Sequence, residues 1–348
     1  MELGLYSFVE NTKNAISGEH RSPEQRVQDL MEEIKLADEI GLDVFAIGEH
    51  HREEFIASNP ATLLAAAATI TKNIRLTSSV TVLGSDDPVR VFQEFATLDL
   101  ISKGRAEIIV GRGSFIESFP LFGYDLSTYE ELFEEKLQLL LKLRGENPIT
   151  WSGEFRSPLN NLGIFPQPLQ EKLPIWRAVG GTPKSAYMTG ALGLPLALAI
   201  IGGYPEQFVQ FAEIHRQAAA QHGFDRPKIS INSHGFISED HQKAVDEAFP
   251  VFKQMMDKIG KERGWPPMLK NQFEASTTLQ GANFVGSPQA VIDKIMYQHE
   301  LFNHDRFLMK MSIGSFTHQQ VMRSIELFGK KVMPVIKKAI QPNSETVV

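Results

Sequence analysis

The sequence predicts an α/β protein folded as a (β/α)8 TIM barrel with insertions in its βα loops. Eight apolar, strand-length runs alternate with eight helical patterns, counting the one that closes the chain. Nearly every run is continuously apolar, as expected of strands covered on both faces. No GxGxxG follows the first strand and no linker divides the chain, which disfavours two doubly wound domains. The 348 residues therefore read as one domain, 1–348, with insertions near 144–172 and 261–284 and a C-terminal tail near 339–348.

Taken in order, Glu2 to Phe8 is the first strand, and Ser22-Pro23-Glu24-Gln25 offers an N-cap, a proline at N1 and a capping-box partner. Val27, Leu30, Met31, Ile34 and Ala37 then recur at helical spacing until Gly41. Leu42 to Gly48 is the second strand and closes on Glu49-His50-His51. Asn59-Pro60 opens an alanine-rich helix, and Ile74 to Leu83 is a third strand that carries Ser78 and Ser79 inside it. Asp87-Pro88 caps the next helix, and Gly104 ends it in a left-handed turn before the fourth strand, Ala106 to Val110. After a polar and aromatic loop, Ser127 and Glu130 suggest another capping box.

Residues 144–172 hold several prolines and no helical period, which predicts an insertion with one hairpin. Pro174 to Val179, Pro195 to Ile201 and Lys228 to Ile237 are strands five to seven, with a helix from Pro183 to Ala191 after the fifth. Residues 261–284 lack a period and predict a long mobile or inserted loop. Gly286-Ser287-Pro288 starts another helix, Arg306 to Ile313 is strand eight, and Thr317 to Lys338 is the closing helix.

Composition narrows the function. A net charge of −7, with no basic block beyond Lys330-Lys331 and Lys337-Lys338, points away from nucleic acid and anionic membranes. No run of eighteen apolar residues occurs and the N-terminus lacks an export signal, so a cytoplasmic protein acting on a small molecule is expected. Zero cysteines exclude disulfides, thiolate metal sites and cysteine nucleophiles. Chemistry falls to His, carboxylates, hydroxyls, Arg or a bound cofactor.

A barrel of this kind builds its site at the C-terminal ends of its strands. Those ends are rich in glycine, which suits a large flat ligand with a phosphate arm. Gly111-Arg112-Gly113 places a permanent cation on bare backbone, in a phosphate site or in a surface ion pair. Gly180-Gly181-Thr182-Pro183 runs into a helix N-terminus, again either an anion cradle or an ordinary connection. Glu49-His50-His51 lacks the spacing of a metal site. One of its histidines facing the mouth can donate or accept a proton, unless it is tied to Glu49 or to backbone.

These residues also resemble a known family. GLDVFAIGEHH, IRLTSSVTVL, DPVRVFQEFATLDLISKGRAEIIVGRGS followed by LFGYD, AVGGTPKSA and GSPQAVIDKI match, in order and spacing, the bacterial luciferase-like flavin-dependent monooxygenases. The resemblance implies a (β/α)8 barrel in which a separate flavin reductase supplies reduced FMN and O2 oxygenates a small organic substrate through a flavin C4a-peroxide. It implies that His50 is the catalytic histidine beside the flavin. Ser79 and Val80 would form a non-proline cis peptide under the ring. Gly111 would stand beside the flavin, where luciferase itself has a cysteine. Arg112 with Gly180, Gly181 and Thr182 would hold the phosphate, although luciferase has a Glu-Ser pair where this chain has the two glycines. Residues 261–284 would be a mobile lid that sets substrate choice, and a homodimer would form through the early helices. Relatives that use deazaflavin F420 for hydride transfer are the alternative, as is a non-catalytic flavin-binding subunit.

Overall fold

A computed structural model describes residues 1–340. Eight parallel strands form the barrel: β1 (Glu2–Ser7), β2 (Val44–Ile47), β3 (Arg75–Ser78), β4 (Ala106–Gly111), β5 (Ile175–Val179), β6 (Leu196–Ala199), β7 (Ile229–Ile237) and β8 (Arg306–Lys310). Neighbours in sequence pair all the way round, and Glu2 of β1 lies opposite Arg306 of β8, so the sheet closes on itself. Four strands are wholly buried and each of the others has one part-exposed residue, because helices cover their outer faces while side chains such as Tyr6, Ile109, Trp176 and Leu308 fill the inside.

Local chemistry sets the helix starts. Ser22, Asn59, Asp87, Ser287 and Thr317 each accept a first-turn backbone N–H, and proline follows the first four. The barrel base is closed by ions. Arg306, 1% exposed, reaches Glu107 at 2.8 Å and Glu2 at 2.7 Å, and its guanidinium lies 4.3 Å from the Trp176 ring.

Several expectations need correction. The third strand stops at Ser78, where a cis Ser79–Val80 bond turns the chain, and pairing resumes only at Thr81–Val82 against β4. Left-handed geometry after the third helix begins at Lys103 and continues through Gly104. The loop after β4 contains a short helix, Ser118–Phe122. Asp125, rather than Ser127, caps the turn before helix Tyr129–Leu143, and no Ser127–Glu130 box forms, which frees the Glu130 carboxylate for tertiary contacts.

The insertion at 144–172 does hold a hairpin, Ile149–Trp151 with Leu159–Leu162. Residues 261–284 are not a plain loop: helix His241–Arg263 runs into them, helix Lys270–Thr277 follows, and Phe284–Gly286 pairs with β7. At the C-terminus the closing helix extends through Ile340, including 339 and 340 of the expected tail, and 341–348 lie outside the described residues.

Candidate active site

The strand ends meet around a cavity of about 230 Å³, and His50, Ser79, Val80, Gly111, Arg112 and Gly180 all line it. Gly181 and Thr182 stand just beyond, at the N-terminus of helix Pro183–Ala191.

Its floor is the β3–β4 junction. Asn232 of β7 donates to Ser79 Oγ at 3.1 Å, and Glu49 N donates to the Val80 carbonyl at 3.0 Å. A Cβ on Gly111 would sit 2.9 Å from both Val80 methyl carbons, so only glycine lets β4 pass this close. The result is a bare ledge at the centre of the mouth.

One end of the cavity is dry and aromatic. His50, 7% exposed, lies 4.4 Å from the Phe8 and Phe55 rings and 5.4 Å from Phe115. Its Nε2 is buried without a partner. Burial, then the charges of Lys310, His51 and Arg52, push the imidazole down to about 3, so it is neutral near pH 7. His51 is different: it donates to Glu49 at 2.7 Å, while the second Glu49 oxygen accepts Val82 N. The tie to Glu49 weighed from sequence thus belongs to His51, and His50 is left to face the cavity.

The other end is wet and charged. Arg112 Nη1 lies 3.2 Å from Glu130, Nη2 donates to Ser185 Oγ at 3.4 Å, and Tyr129 OH donates to the Arg112 carbonyl. Lys184 Nζ reaches the other Glu130 oxygen at 2.8 Å. Thr182 Oγ1 donates to Ser185 Oγ rather than capping the backbone, so the first-turn N–H groups of helix Pro183–Ala191 keep no side-chain partner. Gly181 has φ 117°, a conformation that side chains resist. Two cations, two hydroxyls and a helix N-terminus converge here, and a carboxylate sits between the cations. The donor set fits a phosphate monoester.

Residues 1–304 match the model of the luciferase-like monooxygenase family. The chain belongs to that family. It is 24% identical to the oxygenase component of a flavin-dependent trigonelline monooxygenase of Acinetobacter baylyi, over 97% of this chain and 96% of that one. Among solved structures, monooxygenase RslO1 of Streptomyces bottropensis superposes with TM-score 0.84 at 23% identity, covering 96% of this chain and 99% of that one. The oxygenating constituent of 3,6-diketocamphane monooxygenase of Pseudomonas putida, in complex with FMN, gives 0.77 at 22% identity, covering 97% and 99%.

This member of the luciferase-like monooxygenase family has parts that the sequence reading missed. Lys310, 1% exposed at the end of β8, is ion-paired with Glu10 and lies 3.9 Å from the Phe8 ring. Burial, then the Lys310 charge, hold His234 well below its usual range. A lysine inside the apolar run FLMKMSIG was the available signal, because buried lysines are rare. Beyond Phe55 and Phe115 lies a second cavity of about 280 Å³, where Met255 and Ile259 face Asn11. Its wall comes from helix Asp240-capped His241–Arg263, upstream of most of the expected lid. Arg52 fastens that helix to the β2 loop through Glu262 at 2.5 Å and also binds Glu117 at 2.6 Å. Among the described residues no cluster of three or more His, Asp or Glu is placed to hold a metal, and no helix is long and apolar enough to cross a membrane.

Proposed function

We propose that this chain is the oxygenase of a two-component flavin monooxygenase, taking reduced FMN from a separate reductase and using O2 to oxygenate a small organic substrate. The observation that carries the reading is the polarity of one cleft: an anion cradle at Arg112 and the 180–185 turn, a bare ledge at Gly111 and Val80, and a buried neutral His50 at the far end. Arg112, Thr182 and Ser185 would hold the phosphate, with Gly180 and Gly181 leaving room for it. Val80 and Gly111 would support the ring, and Phe8, Phe55 and Phe115 would keep water away from it. Reduced FMN, when bound, supplies the oxygen-activating chemistry.

His50 Nε2 has no internal partner, so it is free to accept a proton from, or return one to, a ligand at the dry end. The second cavity, behind the same aromatic wall, would take the organic substrate. The oxygenase component among the relatives supports a partner reductase. Exposed Ile70, Leu100 and Ile101 on the second and third helices support a homodimer through the early helices. An F420 reading is less well supported, because its acidic tail would call for cations beyond Arg112 and Lys184, and Glu130 already sits between those two.

The deciding test supplies reduced FMN, reduced F420 or no cofactor under ¹⁸O2, with a panel of small ketones, aldehydes and aromatics. Label in a product only with reduced FMN supports the proposal. Unlabelled turnover that needs F420 would assign hydride transfer instead.

A further inference from the structure

The Glu130 carboxylate bridges two cations at a site otherwise built for an anion. One oxygen faces Arg112 Nη1 at 3.2 Å and the other faces Lys184 Nζ at 2.8 Å, while Arg112 also reaches Ser185 Oγ and stacks over Tyr129, its guanidinium carbon 5.3 Å from the ring. Glu130 is half exposed, in the first turn of helix Tyr129–Leu143, so nothing in the core requires it to lie across this gap. Neighbouring Glu131 is exposed in the same turn and makes no ion pair among the described residues.

Resting on the flavin reading above, we infer that Glu130 is a displaceable stand-in for the cofactor phosphate, an internal competitor that weakens FMN binding and speeds its release. A phosphate dianion entering between Arg112 and Lys184 must expel the carboxylate or accept a like charge about one hydrogen bond away. Either way the gain from two cations is partly offset. Until the phosphate arrives, the same carboxylate keeps Arg112 and Lys184 extended toward the place it will occupy. Glu130 thereby sets how strongly the site prefers a phosphorylated flavin, which matters for a protein that exchanges its cofactor with another.

The test is equilibrium titration of the full chain with FMN and riboflavin, comparing wild type, Glu130→Gln and Glu131→Gln. Inorganic phosphate is added separately, with the melting temperature as a flavin-free readout. Glu130→Gln should bind FMN about tenfold tighter, the size of one or two like-charge contacts at a solvated site, and riboflavin unchanged. The gain should shrink in 1 M salt. Inorganic phosphate should raise the melting temperature of Glu130→Gln more than that of wild type.

Glu131→Gln, which removes the same net charge without the contact, should change FMN affinity less than twofold. An equal gain in Glu131→Gln, or an equal gain for riboflavin, would overturn the inference. So would equal FMN affinity in wild type and Glu130→Gln. If riboflavin still bound more weakly than FMN in both, the flavin reading would survive that loss. Absence of FMN binding in every variant would overturn the reading and the inference together.

Discussion

The two ends of the cleft solve different problems with opposite materials. At the Arg112 end the groups are solvated, mutually paired and built on a helix N-terminus, and at the His50 end three phenylalanines and a buried Lys310–Glu10 pair leave an imidazole with no partner. Charges in water are individually cheap to make and break, so the wet end suits a ligand that comes and goes. A polar atom sealed in a dry wall is expensive to leave alone, so the dry end suits a step that needs one defined protonation state. Binding and chemistry should therefore respond to different mutations.

The sharpest way to break that division is His50→Ala. It should leave FMN affinity within about twofold yet cut oxygenated product by 10²-fold or more, the usual scale for a positioned acid or base, while reduced flavin is still oxidised and O2 leaves as H2O2. Full coupling of O2 use to product in the variant would remove His50 from the chemistry.

Arg112→Ala tests the opposite end. It should weaken FMN by about 1.5–3 kcal/mol, the value of a charge-assisted hydrogen bond, and riboflavin far less. Equal losses for both flavins, measured by titration, would mean that Arg112 does not meet the phosphate.

Acid should separate the ends without a ligand. Below pH 6.5 the unfolded chain protonates its His50, whereas the native ring stays neutral until about pH 3. Stability is thus free of this penalty above pH 6.5 and falls by about 1.4 kcal/mol per pH unit between those values. In chemical denaturation from pH 7 to 4, His50→Phe should show a shallower decline than wild type. Parallel pH curves would show that the native ring takes up its proton as readily as the unfolded one.

The smallest contrast lies between adjacent glycines. Gly181→Val forces a β-branched residue into φ 117° and should cost about 1–3 kcal/mol in FMN binding. At Gly180 a Cβ would meet no protein atom within 4 Å, so Gly180→Ala should leave the fold intact and cost FMN less than Gly181→Val does, only what its methyl takes from the phosphate's room. Comparable losses at the two positions would mean that the phosphate packs against Gly180 itself.

The same division explains what could be read in advance. Strands such as AEIIV and the capped starts at Ser22, Asn59 and Asp87 are local facts, legible from short stretches of sequence. Arg112, His50 and the Ser79–Val80 pair were legible because they sit at strand ends and match a known pattern. Glu130 was misread as a capping partner because Asp125 took the capping role, and nothing within the segment reveals a cation more than a dozen residues upstream and another on a later helix. Helix Lys270–Thr277 escaped notice because only Phe273 and Thr277 are buried along it, too few to make a period. The Lys310–Glu10 pair joins the two ends of the chain and exists only once the barrel closes.

The ionic seal at the barrel base has a kinetic corollary. With Arg306, Glu107, Glu2 and Trp176 filling that end, no ligand passes through the barrel, and traffic to the cleft is left to the rim where the strands end. On the function proposed above, four side chains on the opposite face of the barrel would thus confine cofactor exchange to the rim where the strands end, without touching the cofactor.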